Sequence, residues 1–352
     1  MTEPETRYAA SEPAFPDTLE RCRRLVTPAL AEAVGRLHPD LGRVAGFAFG
    51  WNTVDGTRLI GNGGKGLRPA LAVLAAEAVG SPPESGVPAA AAVELLHMFS
   101  LVHDDIMDGD ERRRHRATVW KSFGVEPAIL VGDALLALSI DEVARNPAAT
   151  VPPALRMLSS TLIAAVNGQA EDAAFEARPW LGPEAVTVEQ YNAMAAGKTG
   201  ALLGCAMALG ALFGGAPAPT VAAMDRLGRD LGIAFQGVDD LLGIWGDPAV
   251  TGKPVYSDLR QRKKTLPVVA ALSGDEATAR RIIHSITASA GGNEALRRAA
   301  DLIGAAGGRT VARAQTRTHL RRALAAVDEI AIDPVAAAEL VRVVEFVGRR
   351  AC

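Results

Sequence analysis

AAAAVELLHMFSLVHDDIMD, residues 89–108, decides the fold. Its apolar residues run together without the strict alternation of a half-buried strand. A helix that is apolar on nearly all sides belongs in the core of a large protein or in a membrane. This one ends in charge, at His103-Asp104-Asp105-Ile106-Met107-Asp108. On a helix Asp104 and Asp108 stand four apart and Asp105 and Asp108 three apart, so the three carboxylates can converge on one face.

The same design recurs at FQGVDDLLGIWGD, residues 235–247, where Asp239 and Asp240 end a second apolar helix. Between and around these two, Ala and Leu dominate and aromatic residues make up only 5% of the chain. Helical periodicity is expected near residues 19–37, 69–79, 89–108, 127–143, 153–176, 188–213, 220–244, 266–272, 275–289, 294–305, 311–327 and 334–349, punctuated by Pro and Gly clusters. No segment reads as a convincing strand, and no composition shift marks a linker. We therefore expect one all-α domain over residues 17–352, preceded by a polar, disordered lead over residues 1–16.

The whole-chain numbers narrow the function classes. With 352 residues, 49% of them hydrophobic, there is apolar surface enough to offset chain entropy over most of the length. Lys plus Arg total 37 against 40 Asp plus Glu, a net charge of −3 that excludes the strongly basic profile of a nucleic-acid-binding domain. Cys22, Cys205 and Cys352 lack metal-ligand spacing and read as free thiols of a reducing cytoplasm. The acidic lead has no apolar core and does not read as a secretory signal. Residues between Lys198 and Asp225 carry no charge, but Gly214-Gly215-Ala216-Pro217 interrupts them. The expectation is a buried helix, a turn and another helix rather than a membrane span.

Two carboxylate clusters at the ends of apolar helices are costly unless a cation joins them. Hard oxygen ligands of this kind suit Mg²⁺, which is held by a few carboxylates together with substrate phosphates. Two such helix ends facing each other would clamp a diphosphate. Cations for that anion are interleaved with the acids. GGKGLRP, residues 63–69, is a glycine-rich turn entering a helix, with Lys65 and Arg68 beside its backbone N–H groups. Arg112-Arg113-Arg114-His115-Arg116 follows the first acidic cluster. Lys198-Thr199, Lys253 and Arg262-Lys263-Lys264 follow further on. Taken singly, each is more simply a surface cation, and His97 a core histidine. As a set they read as ligands for more than one diphosphate.

In GGKGLRP (63–69), ELLHMFSLVHDDIMD (94–108), Arg113-Arg114, Lys198-Thr199, FQGVDD (235–240), GDPAVTGKP (246–254) and SDLRQRKKTLP (257–267), the chain resembles the trans-isoprenyl diphosphate synthases of the polyprenyl synthetase family. The resemblance implies an antiparallel helix bundle around a deep central cavity, the isoprenoid synthase type I fold, usually as a homodimer. It implies condensation of isopentenyl diphosphate with an allylic diphosphate, with three Mg²⁺ ions per site. Asp104, Asp105 and Asp108 would hold two ions, and Asp239 with Asp240 the third. Arg113, Lys198, Thr199, Gln236, Lys253 and Lys263 would bind the allylic diphosphate. Lys65, Arg68, His97 and Arg114 would bind isopentenyl diphosphate, His97 lying two turns before Asp104 on the same helix face.

Four departures stand out. Gly243 replaces the family's usual third Asp, His115 and Ala117 replace a common Gly and Pro, and Tyr256 replaces a common Gly. Because Gly243 is four residues after Asp239, Gly243→Asp is expected to be tolerated and to tighten Mg²⁺ dependence. Product length is expected to follow Phe99 and Ser100, five and four residues before Asp104. A bulky ring at the fifth position resembles synthases that stop at the twenty-carbon geranylgeranyl product, with farnesyl diphosphate as the runner-up. Outside this activity, a class I terpene cyclase and a non-catalytic subunit of a heteromeric synthase are the competing readings. The paired Asp239-Asp240 speaks against the first and the intact first acidic cluster against the second.

Overall fold

The computed structural model describes residues 15–59, 66–113, 116–248, 254–288, 292–330 and 332–349. The expected lead lies almost wholly outside the described residues, as do Lys65, Arg114, His115, Lys253 and Cys352. In chain order the helices are α1 Phe15–Gly35, α2 Pro39–Phe49, α3 Leu67–Ala78, α4 Val87–Met107, α5 Val119–Phe123, α6 Val125–Ala144, α7 Val151–Ala177 and α8 Val188–Ala195. After a wide turn at Ala196–Gly200 come α9 Ala201–Phe213, α10 Ala218–Trp245, α11 Ser257–Arg260, α12 Leu266–Leu272, α13 Glu276–Thr287, α14 Asn293–Ala305, α15 Gly308–Glu329 and α16 Pro334–Arg349.

The long helices α3, α4, α9 and α10 form the centre, and small residues let them close on one another. A Cβ on Gly228 of α10 would come within 2.5 Å of the Leu203 carbonyl oxygen on α9. A Cβ on Gly210 of α9 would overlap the backbone of Ala72 on α3. Fully buried Leu71, Leu74, Leu95, Leu135, Leu203, Met207, Leu227 and Leu231 fill the space between. Two smaller apolar clusters sit at the far end of α10. One gathers Ile244, Leu259, Val268, Ile282, Leu296 and Ile303, and the other Phe175, Tyr191, Met194, Leu241, Leu266 and Ala312. They anchor the end of α10 that carries Asp239 and Asp240.

The helical stretches expected from periodicity are all present, with ends shifted by up to four residues. The helix α2 was not foreseen. It contains Gly42 and Gly46, which weaken helical propensity, and is set instead by Pro39 in its first turn and by burial of Val44, Phe47 and Phe49. Among the described residues the only paired strands are Arg112–Arg113 and Arg116–Ala117, a two-residue antiparallel ribbon. In the charge-free segment the expected helix, turn and second helix are present, and the first helical run, Val188–Phe213, is 26 residues, long and apolar enough by itself to cross a membrane. In its most apolar window 72% is buried inside the protein. A second such stretch, Pro83–Met107, includes α4. Cys22 and Cys205 are buried free thiols, as expected.

Candidate active site

Helix α4 delivers Asp104, Asp105 and Asp108 at its C-terminal end, where the uncompensated carbonyls of a helix repel carboxylates. Each carboxylate therefore meets a cation from elsewhere. Arg113, on the strand just beyond, donates from Nε to Asp105 Oδ1 at 2.7 Å. Lys263, in the segment between α11 and α12, stands 3.5 Å from Asp108. Asp104 feels Lys198, but burial outweighs it and pushes this carboxyl up to about 6, with Asp108 adding repulsion. Burial also raises Asp105, against the pull of Arg113. Among the described residues no three acidic, His or Cys side chains stand together at ligand spacing. The three carboxylates are nonetheless near enough to repel one another, Asp108 and Asp105 both raising Asp104.

Lys198 and Thr199 join this cluster to the second. They lie in the wide turn Ala196–Gly200, where the Ala201 N–H reaches back five residues to the Ala196 carbonyl. Insertions of this kind occur frequently at functional sites. Gly168 on α7 makes room for it, since a Cβ there would come within 2.5 Å of the Lys198 nitrogen. Lys198 Nζ donates to Asp172 Oδ2 at 2.6 Å. Thr199 Oγ1 donates to Gln236 Oε1 at 2.8 Å, and Gln236 Nε2 donates to Asp240 Oδ1 at 3.0 Å. Asp240 Oδ2 accepts from the Leu266 N–H at 2.8 Å and from the Tyr191 hydroxyl. Asp240 is thus wholly inside, and burial pushes it up to about 7 despite these donors. Its neighbour Asp239 is only half-buried.

Gly243 is the place where the structure overturns an expectation. A Cβ at this position would overlap the Asp258 carboxylate. Asp258, at the start of α11, is buried, and Ser257 Oγ, 3.2 Å from both Asp258 Oδ1 and the Gly243 carbonyl, ties the two segments together. The space next to Asp239 and Asp240 is therefore already taken by a carboxylate from another segment, and an Asp at 243 could not face the same ion without displacing it. Tyr256, just before α11, holds the left-handed backbone that its usual Gly would favour, with φ +63°.

Arg68 of α3 and His97 of α4 are brought together, Nη1 to Nε2 at 3.0 Å. Phe99 is partly buried against the core, and Ser100 turns its hydroxyl back to the His97 carbonyl at 2.9 Å. Lys264 points away from the site. Its ammonium donates to the carbonyls of Phe175, Glu176 and Arg178 past the end of α7 and lies 4.7 Å from the Trp180 ring centroid. Sequence reasoning missed Asp172, Tyr191 and the part played by Asp258. For Asp172 a signal existed, a polar run Gln169-Ala170-Glu171-Asp172 in the middle of α7. For Tyr191 there was none.

The donor set fits a hard divalent cation. It is all oxygen, and burial drives Asp104 and Asp105 upward, which an added positive charge would relieve. An all-α bundle with an acidic end on each of two central helices, lysines beside the first and a Thr199–Gln236 link to the second, defines a class of diphosphate-handling synthases. The comparisons agree. The polyprenyl synthetase family model matches residues 56–303, and the chain belongs to that family. It is 43% identical over 330 residues to a (2E,6E)-farnesyl diphosphate synthase of Mycobacterium tuberculosis, covering 93% of this chain and 90% of the relative. It is 42% identical over 337 residues to a geranylgeranyl diphosphate synthase of the same organism, covering 95% and 93%. A crystal structure of a polyprenyl synthetase from Streptomyces coelicolor superposes with a TM-score of 0.87 at 45% identity, covering 94% of this chain and 98% of that one. The protein is a short-chain prenyltransferase.

Proposed function

We propose that this chain is a Mg²⁺-dependent synthase that adds isopentenyl diphosphate to allylic diphosphates and stops at geranylgeranyl diphosphate. The observation that carries the reading is that successive residues of one turn serve both acidic helix ends, Lys198 through its electrostatic pull on Asp104 and Thr199 through its bond to Gln236, which in turn donates to Asp240.

Asp104, Asp105 and Asp108 would hold two ions and Asp239 the third. Asp240, with both oxygens already bonded, fixes the turn that carries Asp239. Mg²⁺ bound there supplies the positive charge that stabilises a diphosphate leaving group as the allylic C–O bond ionises. Lys198 and Lys263, held by Asp172 and Asp108, are placed to turn to that diphosphate, with Arg113, Thr199 and Gln236 around it, and Lys253, outside the described residues, would bind the same group. Arg68 and His97, with Lys65 and Arg114, hold isopentenyl diphosphate. Its alkene traps the allylic cation, so no Ser, Cys or His nucleophile is needed, and the final proton leaves to the released diphosphate.

Similarity in name does not choose the product, because relatives called farnesyl and geranylgeranyl synthase match almost equally. Phe99, one turn and a little more below Asp104, favours the twenty-carbon stop. The farnesyl alternative is supported by the relative at 43% identity. We also propose a cytoplasmic homodimer. Helices α6 and α7 expose Val125, Ile129, Leu130, Ile140, Ile163 and Val166, an apolar face that a second copy would cover.

Two measurements test the reaction. Allylic diphosphate alone should remain unchanged, and adding isopentenyl diphosphate should start elongation. A hydrocarbon formed without isopentenyl diphosphate would make the protein a cyclase. Titration calorimetry with Mg²⁺ should show binding in the wild type that Asp104→Ala weakens, with turnover falling about 10²–10³-fold. Unchanged binding and rate would remove Asp104 from the metal site.

A further inference from the structure

Phe99 and His103 are one helical turn apart on α4, and their rings meet edge to face, 4.9 Å between centroids and 66° between planes. Helical side chains lean toward the N-terminus, so His103 leans over Phe99. The imidazole is fixed from the other side by α6. Its Nε2 lies 3.2 Å from the Ile129 carbonyl oxygen, a contact that requires the proton on Nε2. One turn further along, Gly132 leaves a notch that the imidazole fills. A Cβ at 132 would overlap His103 Nε2, and it would come within 2.5 Å of Cδ2 and 3.0 Å of Cε1. His103 is therefore clamped by a hydrogen bond, by a close-fitting notch and by the Phe99 ring.

We propose that His103 is a positioning residue for product length, a prop seated in the Gly132 notch that holds Phe99 in the rotamer that stops the growing chain. The proposal rests on the assignment of Phe99 as the floor of the tail site. A phenyl ring on a helix has two common χ1 wells. With the imidazole beside it, the swing toward α6 is blocked. Without it, that space opens and the floor yields. The contacts of the His103 ring run to Phe99 and to α6 rather than to the acidic residues, although it is the residue next to Asp104. Its effect should therefore fall on where elongation stops rather than on the rate of each addition.

Product length distributions of Phe99→Ala, His103→Ala, the double variant, His103→Gln and Gly132→Ala test this at matched turnover. Phe99→Ala should give longer products. His103→Ala should raise the share of products beyond the wild-type length about two- to tenfold, the factor that corresponds to displacing a side chain about 30° from its rotamer well. The double variant should go no further than Phe99→Ala alone. His103→Gln, whose amide can still donate to the Ile129 carbonyl, should restore most of the wild-type stop. Gly132→Ala expels the ring without touching Phe99 or the acidic cluster, and should lengthen products even if His103→Ala folds poorly. If Phe99→Ala lengthens products while His103→Ala or Gly132→Ala keeps the wild-type length, the prop is refuted and the floor stands. If Phe99→Ala itself changes nothing, the floor assignment fails and the prop fails with it.

Discussion

Gly243 and Asp258 show how a single missing side chain is read differently from sequence and from structure. By sequence, Gly243 looks like a lost ligand that an Asp would restore. In the fold its empty side is filled by the Asp258 carboxylate, beside Asp240, which burial already pushes up to about 7. Gly243→Asp should therefore overpack the site and place one more carboxylate among buried acids. We expect it to cost about 1–3 kcal/mol of stability in denaturant unfolding and to leave Mg²⁺ affinity in calorimetry no tighter than wild type. Tighter binding at full stability would contradict this. The buried thiols give a pH signature. Burial pushes Cys22 and Cys205 up to about 12 from an ordinary 9. A raised folded-state value means that the stability these groups contribute is full below pH 9 and falls as pH rises from 9 through 12. Neither thiol should react with a thiol reagent in the folded protein at pH 8, while both should on unfolding. Rapid labelling of Cys22 or Cys205 in the native state would contradict their burial.

At the scale of elements, the wide turn between α8 and α9 shapes the site more than any helix does. It presents Lys198 and Thr199 on successive residues, one toward Asp172 and the other toward Gln236. It fits only because Gly168 on α7 carries no side chain. In Gly168→Ala the added carbon meets backbone rather than a flexible chain end, 2.5 Å from the Lys198 nitrogen and 3.0 Å from the Met194 carbonyl oxygen. A loss of about 1–3 kcal/mol in denaturant unfolding is expected, with a raised KM for the allylic diphosphate as Lys198 is pushed aside. An unchanged KM would show that the turn tolerates displacement. The helices and both acidic ends were legible in the sequence because apolar periodicity and paired aspartates are local patterns. The wide turn, the Tyr191–Asp240 contact and the seating of Asp258 against Gly243 were not. Each depends on which distant segment packs there, and nothing within a few residues encodes it. Helix α2 escaped for a related reason, since burial rather than propensity forms it.

Over the whole molecule, the core of α3, α4, α9 and α10 is closed while α6 and α7 keep an apolar face outward. Leu130 and Ile163 are 57% and 62% exposed, more than a solitary surface would need. Leu130→Asp with Ile163→Asp should shift sedimentation from dimer to monomer without loss of helix content, and a wild type that sediments as a monomer would sink the homodimer. As proposed above, two acidic helix ends work on one diphosphate while Phe99 lets a fifteen-carbon chain grow by one more unit. Farnesyl diphosphate offered as the sole primer with labelled isopentenyl diphosphate and Mg²⁺ tests it most directly. The label should appear in geranylgeranyl diphosphate and go no further. Farnesyl diphosphate left unextended, while geranyl diphosphate is carried to farnesyl diphosphate, would contradict the account.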